Sequence, residues 1–281
     1  MNYRHAFHAG NFADVFKHAI LARILDYLMR KDAPLRYLDT HAGVGRYDLA
    51  GDEASRTGEW RDGIGRILNV QRPPEIEALL APWLKAVGAG DEAGMPASYP
   101  GSPALAQALL RRQDRLTLCE LHPKDIVTLQ RAMGRDSRIK ALAIDGYMAL
   151  NAYVPPVERR GLVLVDPPFE AVDEFDRLAS AFASAFAKWP TGVYALWHPV
   201  KDIAVADRFY QRLAAAGADK ILRLELAVAA PSPDGRLAAN GLAVINPPFT
   251  LAGEARALLP WLAGVLAQGE GAGAWIEEGC A

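Results

Sequence analysis

Short apolar runs alternate along the chain with longer stretches that carry apolar residues at helical spacing. Such alternation is typical of an open α/β sheet with helices on both faces. Seven of the short runs predict β-strands: 35–39, 115–122, 139–144, 161–166, 193–197, 221–228 and 241–245. Helical spacing is found after Asn11 and in 123–133, 175–187, 203–216 and 258–266. Asn11 is predicted to cap the first helix, and Ser102 a helix that follows Pro100-Gly101.

Residues 48–99 interrupt this alternation. They are polar at first and then helical, with apolar positions around Ile64 and Leu68 and again around Leu80 and Trp83. The segment is too long for a loop of a compact domain. We expect a single domain over residues 1–281 with a small helical insertion at 48–99.

The bulk composition limits the function classes. The chain has 281 residues, of which 51% are hydrophobic and 23% charged, and its net charge is −2. This charge argues against a broad electrostatic grip on nucleic acid, so any such contact must be local. No apolar window approaches a membrane span, and Cys119 and Cys280 are unsuited to a disulfide, so we expect a cytoplasmic protein.

The run 161–166 ends in Asp166-Pro167-Pro168-Phe169. Two prolines stop the strand, so Asp166 is predicted at its carboxyl end, where open α/β sheets bind ligands. The Asp166 carboxylate and the Pro167 carbonyl could accept hydrogen bonds from an exocyclic amine during methyl transfer, and Phe169 could stack on the ring that carries it. A strand that ends in an ordinary Pro-Pro turn is the alternative.

Acidic residues also end three other predicted strands. Asp39 precedes a turn that contains Gly43 and Gly45, Glu120 closes the second strand, and Asp145 closes the third. The turn lacks the third glycine of the dinucleotide fingerprint, and acidic surroundings favour a cationic ligand such as a sulfonium. The regular pattern predicts a nucleoside site, although acids at these positions can also be helix caps.

The amino terminus is rich in aromatic and basic residues. Tyr3 and Arg4 could stack on or pair with a nucleotide, and Lys17 lies nearby in the first helix. An ordered amino-terminal arm without such a role is the alternative. His5, His8 and His18 lack a Cys or carboxylate partner at ligand spacing, so no metal site is expected.

A second copy of the proline motif, Asn246-Pro247-Pro248-Phe249, ends the seventh predicted strand. Only a short tail without a strand and Gly-x-Gly turn follows it. The first copy ends the fourth strand, which adjoins the first in a doubly wound sheet. We therefore predict that Asp166, and not Asn246, belongs to the reactive site.

Together these motifs resemble the class I S-adenosylmethionine-dependent methyltransferases. Four further segments make the chain similar to the RlmJ family, which methylates an adenine N6 of 23S ribosomal RNA: 3–11, 99–103, 120–123 and 195–199. The resemblance implies a Rossmann-like, seven-stranded and mostly parallel sheet with an insertion after strand 1. It also implies S-adenosyl-L-methionine as cofactor, 23S ribosomal RNA as partner, and no membrane partner; we expect a monomer.

The resemblance and the motifs described above together give the expected site residues. Those expected to line the cofactor site are His18, His41, Gly43, Ser102, Glu120, Asp145, Gly146 and Asp166. Asp166, Pro167 and Phe169 would act in catalysis, and Tyr3, Arg4 and Lys17 would contact RNA. Other basic residues that could hold phosphate are Arg111, Arg112, Arg115, Arg159 and Arg160.

Two positions depart from the broader methyltransferase pattern. His41 replaces the first loop glycine, and Phe169 replaces the Tyr of the proline motif. Two other functions stay open: methylation of a protein glutamine, and RNA binding without catalysis.

Overall fold

The computed structural model of the protein describes residues 5–88, 97–231 and 235–279. The strands are β1 (Arg36–Asp39), β2 (Arg46–Asp48), β3 (Ser98–Pro100), β4 (Arg115–Cys119), β5 (Ile139–Leu142), β6 (Gly161–Val165), β7 (Val193–Pro199), β8 (Ile221–Ala227), β9 (Ala239–Ile245) and β10 (Gly273–Glu278). The helices are α1 (Phe12–Met29), α2 (Asp52–Thr57), α3 (Ile64–Leu68), α4 (Pro74–Val87), α5 (Ser102–Leu109), α6 (Pro123–Met133), α7 (Gly146–Ala152), α8 (Glu174–Lys188), α9 (Ile203–Ala215) and α10 (Leu251–Leu266).

Eight strands form the main sheet, in the order β10-β8-β9-β7-β6-β1-β4-β5. The five strands from β7 to β5 run parallel, whereas β9 is antiparallel to β7 and β8, and β10 is antiparallel to β8. The predicted neighbours β1 and β6 pair directly, with Asp39 opposite Leu164. The carboxyl ends of β1, β4 and β6 therefore meet at one edge of the sheet.

The prediction of seven strands is wrong by one. The eighth, β10, lies at the edge of the sheet, and its side chains are half-buried or exposed. Trp275, Glu277 and Glu278 on this strand face solvent, so the segment lacks the apolar run that marks a buried strand. The tail helix is also longer than predicted, because it begins at Leu251.

Strand β6 is buried on both faces, which explains its unbroken apolar sequence. Leu162 and Leu164 pack in the larger core cluster, which includes α1, α4, α5 and α10. Val163 and Val165 pack in the second cluster, with α7, α8 and α9. The strand that carries Asp166 is therefore fixed by both cores.

The segment predicted as an insertion contains α2, α3 and α4 and is bracketed by β2 and β3, which pair with each other as a two-stranded ribbon. The sequence pattern did not indicate this ribbon. Helix α4 is not separate from the rest, because Ile76, Leu80 and Trp83 lie in the larger core cluster. None of the helices in the described residues is long and apolar enough to cross a membrane.

The capping predictions have different outcomes. Asn11 caps α1 as predicted, since its side chain accepts hydrogen bonds from the backbone N–H groups of Ala13 and Asp14, each at 3.0 Å. Ser102 does not cap α5: Gly101 is the N-cap, and Ser102 is the first helical residue. The Ser102 hydroxyl instead donates to Asp39 Oδ2 at 2.7 Å.

Candidate active site

A cavity of about 850 Å³ opens at the carboxyl ends of the parallel strands. The residues predicted to bind cofactor all line it: His18, His41, Gly43, Ser102, Glu120, Asp145, Gly146 and Asp166. Pro167, Phe169 and Lys17 also line it. Tyr3 and Arg4 lie outside the described residues. The structure thus brings together side chains from segments far apart in the sequence.

Asp166 is joined to Lys17 by an ion pair, with 2.5 Å between Nζ and Oδ2. The Lys17 side chain is 6% exposed and also lies 3.0 Å from Asp14 Oδ1. Burial opposes the charge on Lys17, but the carboxylates of Asp166 and Asp14 outweigh it and raise the pKa of Lys17. The ammonium therefore stays charged inside the wall of the cavity.

This position disagrees with the predicted role of Lys17. A residue that binds RNA phosphate must present its charge at the surface, and the Lys17 ammonium is instead buried between two carboxylates. The sequence placed Lys17 correctly in the first helix but could not show that its partner lies 149 residues away. We correct the assignment from RNA contact to a neighbour of Asp166.

Phe169 is held in an aromatic cluster beside Asp166. Its backbone has a φ of +49°, and its ring lies 4.8 Å from that of Phe175 and 5.8 Å from that of Trp197, both edge to face. The left-handed conformation is unusual for an aromatic residue, so the surrounding packing must hold it. Trp197 also lines the cavity. Its indole donates to Asn240 Oδ1 at 2.9 Å.

Glu120 is fixed by the loop after β1. The Gly43 N–H donates to Oε2 at 2.9 Å, and the His122 N–H donates to Oε1 at 2.7 Å. Burial raises the pKa of Glu120, and these two donors partly offset that effect. Gly43 has a φ of +60°, which favours glycine. The carboxylate is thus oriented at the cavity wall with acceptor capacity left for a ligand.

Asp39 does not reach the cavity, although its strand-end position was part of the predicted nucleoside pattern. It is fully buried, and its Oδ2 accepts hydrogen bonds from the hydroxyls of Ser102 and Tyr37. Burial, opposed by these two hydroxyls, raises its pKa to about 6. Asp39 therefore stabilises the protein interior next to the β1 loop, whereas Glu120 and Asp145 line the cavity.

Asp145 is both a helix cap and a residue of the cavity wall, the two roles considered above for an acid at a strand end. Its Oδ1 accepts from the N–H groups of Tyr147 and Met148 and so caps α7, while the residue also lines the cavity. Gly146 packs closely against the loop after β1. A Cβ at this position would lie 2.4 Å from the Thr40 carbonyl oxygen and 2.7 Å from the His41 ring.

Two of the four histidines that line the cavity, His18 and His41, are held neutral by burial. His18 Nδ1 lies 2.8 Å from the Tyr99 hydroxyl, and burial lowers the pKa of His18 to about 3. His41 Nδ1 lies 2.8 Å from Thr40 Oγ1, and burial lowers the pKa of His41 to about 4. Both rings therefore serve as hydrogen-bonding and stacking surfaces near neutral pH.

The second proline motif lies at the opposite edge of the sheet. Because β9 runs antiparallel to β7, Ile245 pairs with Tyr194, near the start of β7, whereas Val165 pairs with Leu196. Asn246 has a φ of +52°, and its side chain donates to the Pro190 and Gly192 carbonyls. Asn246 is a turn residue away from the cavity.

Several basic residues named as possible phosphate contacts donate hydrogen bonds to the protein's own backbone. At the carboxyl end of α1, Arg111 donates to the carbonyls of Met29, Lys31 and Ala33, and Arg160 donates to the carbonyls of Leu28 and Ala33. Arg115 donates to carbonyls of its own turn. Cations near a helix carboxyl end stabilise it, which accounts for Arg111 and Arg160.

Sequence reasoning missed several residues of the cavity wall. Glu174 is buried and accepts from the Tyr147 hydroxyl at 2.6 Å, and the Arg177 guanidinium lies over the Tyr147 ring. Asp14 is buried beside Lys17. The one signal available for Asp14 was its position three residues before Lys17 in a helix, which allows an ion pair.

Comparison with known proteins agrees with the fold and the site motifs. A family model described as "Ribosomal RNA large subunit methyltransferase D, RlmJ" matches residues 32–277. A protein of Escherichia coli strain K12 named "Ribosomal RNA large subunit methyltransferase J" is 44% identical over 263 residues, which cover 93% of this chain and 92% of that protein. The protein of that name from Haemophilus influenzae is 41% identical over 278 residues, covering 99% and 98%.

A solved structure of a Legionella pneumophila protein has the same architecture. It is 35% identical, with a TM-score of 0.86, and the match covers 97% of this chain and 98% of that one. The expected Rossmann-like fold of class I methyltransferases is confirmed, with eight main-sheet strands in place of seven. The chain belongs to the RlmJ family of ribosomal RNA large subunit methyltransferases.

Proposed function

We propose that this chain transfers a methyl group from S-adenosyl-L-methionine to the N6 amine of an adenine in 23S ribosomal RNA. The observation that carries the proposal is that Asp166 lines the cavity together with Pro167 and Phe169, which follow it in the sequence. We further propose that it acts as a monomeric single domain, with 48–99 as its insertion, in the cytoplasm. The proteins that it resembles are named as ribosomal RNA methyltransferases.

The cavity suits a nucleoside with a cationic substituent. Glu120 presents an oriented carboxylate for ribose hydroxyls, and Asp145, Gly146 and His41 line the same cavity. Acids in the wall tolerate a positive ligand better than a phosphate. When bound, S-adenosyl-L-methionine supplies an electrophilic methyl group on a sulfonium.

Asp166 and Pro167 would act on the amine. An adenine amine is a weak nucleophile because its lone pair is delocalised into the ring. Hydrogen bonds from its two hydrogens to the Asp166 carboxylate and the Pro167 carbonyl favour the pyramidal nitrogen that develops during transfer. Lys17 holds Oδ2 of Asp166, so Oδ1 is the oxygen that faces the amine. The carboxylate also stabilises the positive charge that the nitrogen gains.

The aromatic residues would bind the target base. Phe169 and Trp197 present rings at the same end of the cavity as Asp166. Removing a base from its stack costs a few kcal/mol, and stacking of that base on these aromatic rings offsets part of the cost. Since an unpaired base costs less to extrude, protein-free or partly assembled RNA is the expected substrate. Tyr3 and Arg4 are proposed to contact that RNA.

The test is transfer from methyl-labelled S-adenosyl-L-methionine to protein-free 23S ribosomal RNA, followed by identification of the modified nucleoside. The unmutated chain should yield N6-methyladenosine at one position. Asp166→Ala should lower the rate about 10³-fold while S-adenosyl-L-methionine still binds, as measured by calorimetry. Asp166→Asn, which retains the shape, should also be inactive.

The alternatives give different outcomes in the same assay. Label in a glutamine of added ribosomal protein, with none in RNA, would select protein methylation. RNA binding without any transfer by the unmutated chain would select a binding protein that has lost catalysis. A labelled cytosine or guanine would contradict the proposed substrate.

A further inference from the structure

Asp14 is a buried carboxylate that the steps above do not use. It lies in the first turn of α1 and is 1% exposed. Its Oδ1 lies 3.0 Å from Lys17 Nζ, and its Oδ2 accepts from the Gly10 N–H at 2.9 Å and lies 2.9 Å from His5 Nε2. A buried carboxylate without partners would be costly, so these contacts must outweigh its desolvation.

The two oxygens of Asp14 face different parts of the molecule. Oδ2 faces the amino-terminal segment, which we define as residues 5–10 and which contains a short 3-10 helix and the turn at Gly10. Oδ1 faces Lys17, whose ammonium contacts Asp166. The contacts therefore form a continuous chain from His5 through Asp14 and Lys17 to Asp166.

We propose that Asp14 is a positioning residue that holds Lys17 against Asp166 and ties the amino-terminal segment to the same point. The proposal deepens the methyltransferase function proposed above and rests on it where activity is measured. Asp14 has no role in contact with the substrate. It fixes the direction of the Lys17 side chain, and hence which oxygen of Asp166 faces the amine.

The charges around Lys17 give the proposal a measurable consequence, a change in the pH at which Lys17 loses its proton. Lys17 faces Asp14 on its own helix and Asp166 from the strand side, with His18 also nearby. Asp14 faces Lys17 and His5, and His18 Nε2 lies 3.9 Å from its Oδ1. Its negative charge also contributes to the raised pKa values of His8 and Tyr99. Neutralising Asp14 leaves the buried ammonium with one carboxylate, so Lys17 should release its proton at lower pH.

The experiment compares Asp14→Asn, Asp14→Glu and, as a control, Asp26→Asn. Asp26 lies on the same helix but pairs with Arg23 and Arg30, away from the cavity. The readouts are the pH profile of kcat on protein-free RNA, KM for RNA, and amide hydrogen exchange over residues 5–10 without RNA. Asp14→Asn should lower kcat about 100-fold and introduce an alkaline limb into the profile, which Lys17 does not produce in the unmutated chain because its pKa is raised far above the usual value there.

Asp14→Glu keeps the charge, so it should show a reduced kcat without this alkaline limb. Exchange over residues 5–10 should be at least about tenfold faster in Asp14→Asn than in Asp26→Asn. A uniform loss of kcat at all pH values with unchanged exchange would overturn the proposal, because that pattern describes a structural residue. If Asp14→Asn does not fold, an alkaline limb in Asp14→Glu that the unmutated chain lacks would equally overturn it.

The exchange measurement separates the two proposals. If the unmutated chain transfers no methyl group to RNA, the proposed function fails. Faster exchange of residues 5–10 in Asp14→Asn would then still support the proposed link between Asp14 and the amino-terminal segment, and unchanged exchange would overturn it.

Discussion

The Lys17 ammonium lies 2.5 Å from Oδ2 of Asp166, although 149 residues separate them in the sequence. Helix α1 supplies the cation, and the end of β6 supplies the acid. Their contact is set by the packing of α1 on the sheet, in the same core cluster as Leu162 and Leu164 of β6. The geometry of the proposed reaction thus depends on how a helix and a strand pack.

Replacement of Lys17 by Met should be severe. Met nearly retains the volume but leaves the buried Asp14 and the half-buried Asp166 without their shared cation. We expect transfer to RNA to fall at least about 100-fold, and the free energy of unfolding to fall by about 3–5 kcal/mol. Lys31→Met, at an exposed position just after the same helix, should change neither quantity. Chemical denaturation and single-turnover transfer check both expectations, and wild-type transfer by Lys17→Met would contradict the mechanism.

Gly146→Ala should weaken binding of S-adenosyl-L-methionine. The new Cβ would lie 2.4 Å from the Thr40 carbonyl, so the β1 loop and α7 must separate. Overpacking of this kind costs about 1–3 kcal/mol, which corresponds to a loss of about 5- to 150-fold in affinity by calorimetry. Gly264→Ala is the matched control: its Cβ meets no atom within 4 Å, and alanine in the last turn of α10 should add up to about 1 kcal/mol of stability without changing affinity.

Asn246→Ala should separate the two proline motifs. Asn246 donates two hydrogen bonds to backbone carbonyls and has a positive φ, so its loss should lower the free energy of unfolding by about 1–3 kcal/mol. Transfer per folded molecule should stay unchanged, in contrast to Asp166→Ala. A loss of transfer with intact stability would show that the second motif takes part in the reaction.

His18 should make the protein sensitive to acid. The unfolded chain takes up a proton on this ring near pH 6.5, whereas burial holds the folded pKa at about 3. The unfolded state therefore binds more protons between these values, and stability is lost as the pH falls. From pH 7 to 5 the loss from His18 is about 2 kcal/mol.

Denaturant titrations at the two pH values measure this loss. His41, with a pKa of about 4, adds a loss of the same sign, while Asp39, with a pKa of about 6, opposes both because its folded form takes up a proton first. His18→Gln should lose about 2 kcal/mol less than the unmutated chain between pH 7 and 5. An equal loss in both proteins would contradict the assignment of a neutral buried ring.

Local patterns sufficed for much of the fold. The buried run of β6 and the Pro-Pro stop placed Asp166 at a strand end, and Asn11 caps α1 as its sequence position predicts. Parallel pairing then brings the ends of neighbouring strands to one edge, so Glu120 and Asp145 could be placed in the cavity wall. These features follow from residue spacing and from rules of sheet topology.

Other features depend on contacts that spacing does not contain. The ribbon of β2 and β3 is three residues long on each side and pairs across the insertion. The Ser102 hydroxyl bonds to Asp39 and leaves the capping position to Gly101, a choice that only the packing of α5 on β1 decides. Lys17 resembles a surface cation in sequence, because its two carboxylates come from one turn earlier and from a distant strand.

Strand β6 is hydrogen-bonded on both sides and covered on both faces. A slip by one residue would interchange Leu162 and Leu164 with Val163 and Val165 between the two cores and carry Asp166 about 3.3 Å along the sheet. Substitutions deep in either core, far from the cavity, should therefore act on the rate of methyl transfer as well as on stability. We therefore expect core substitutions that move β6 to be tolerated poorly, because they also displace the Asp166 carboxylate.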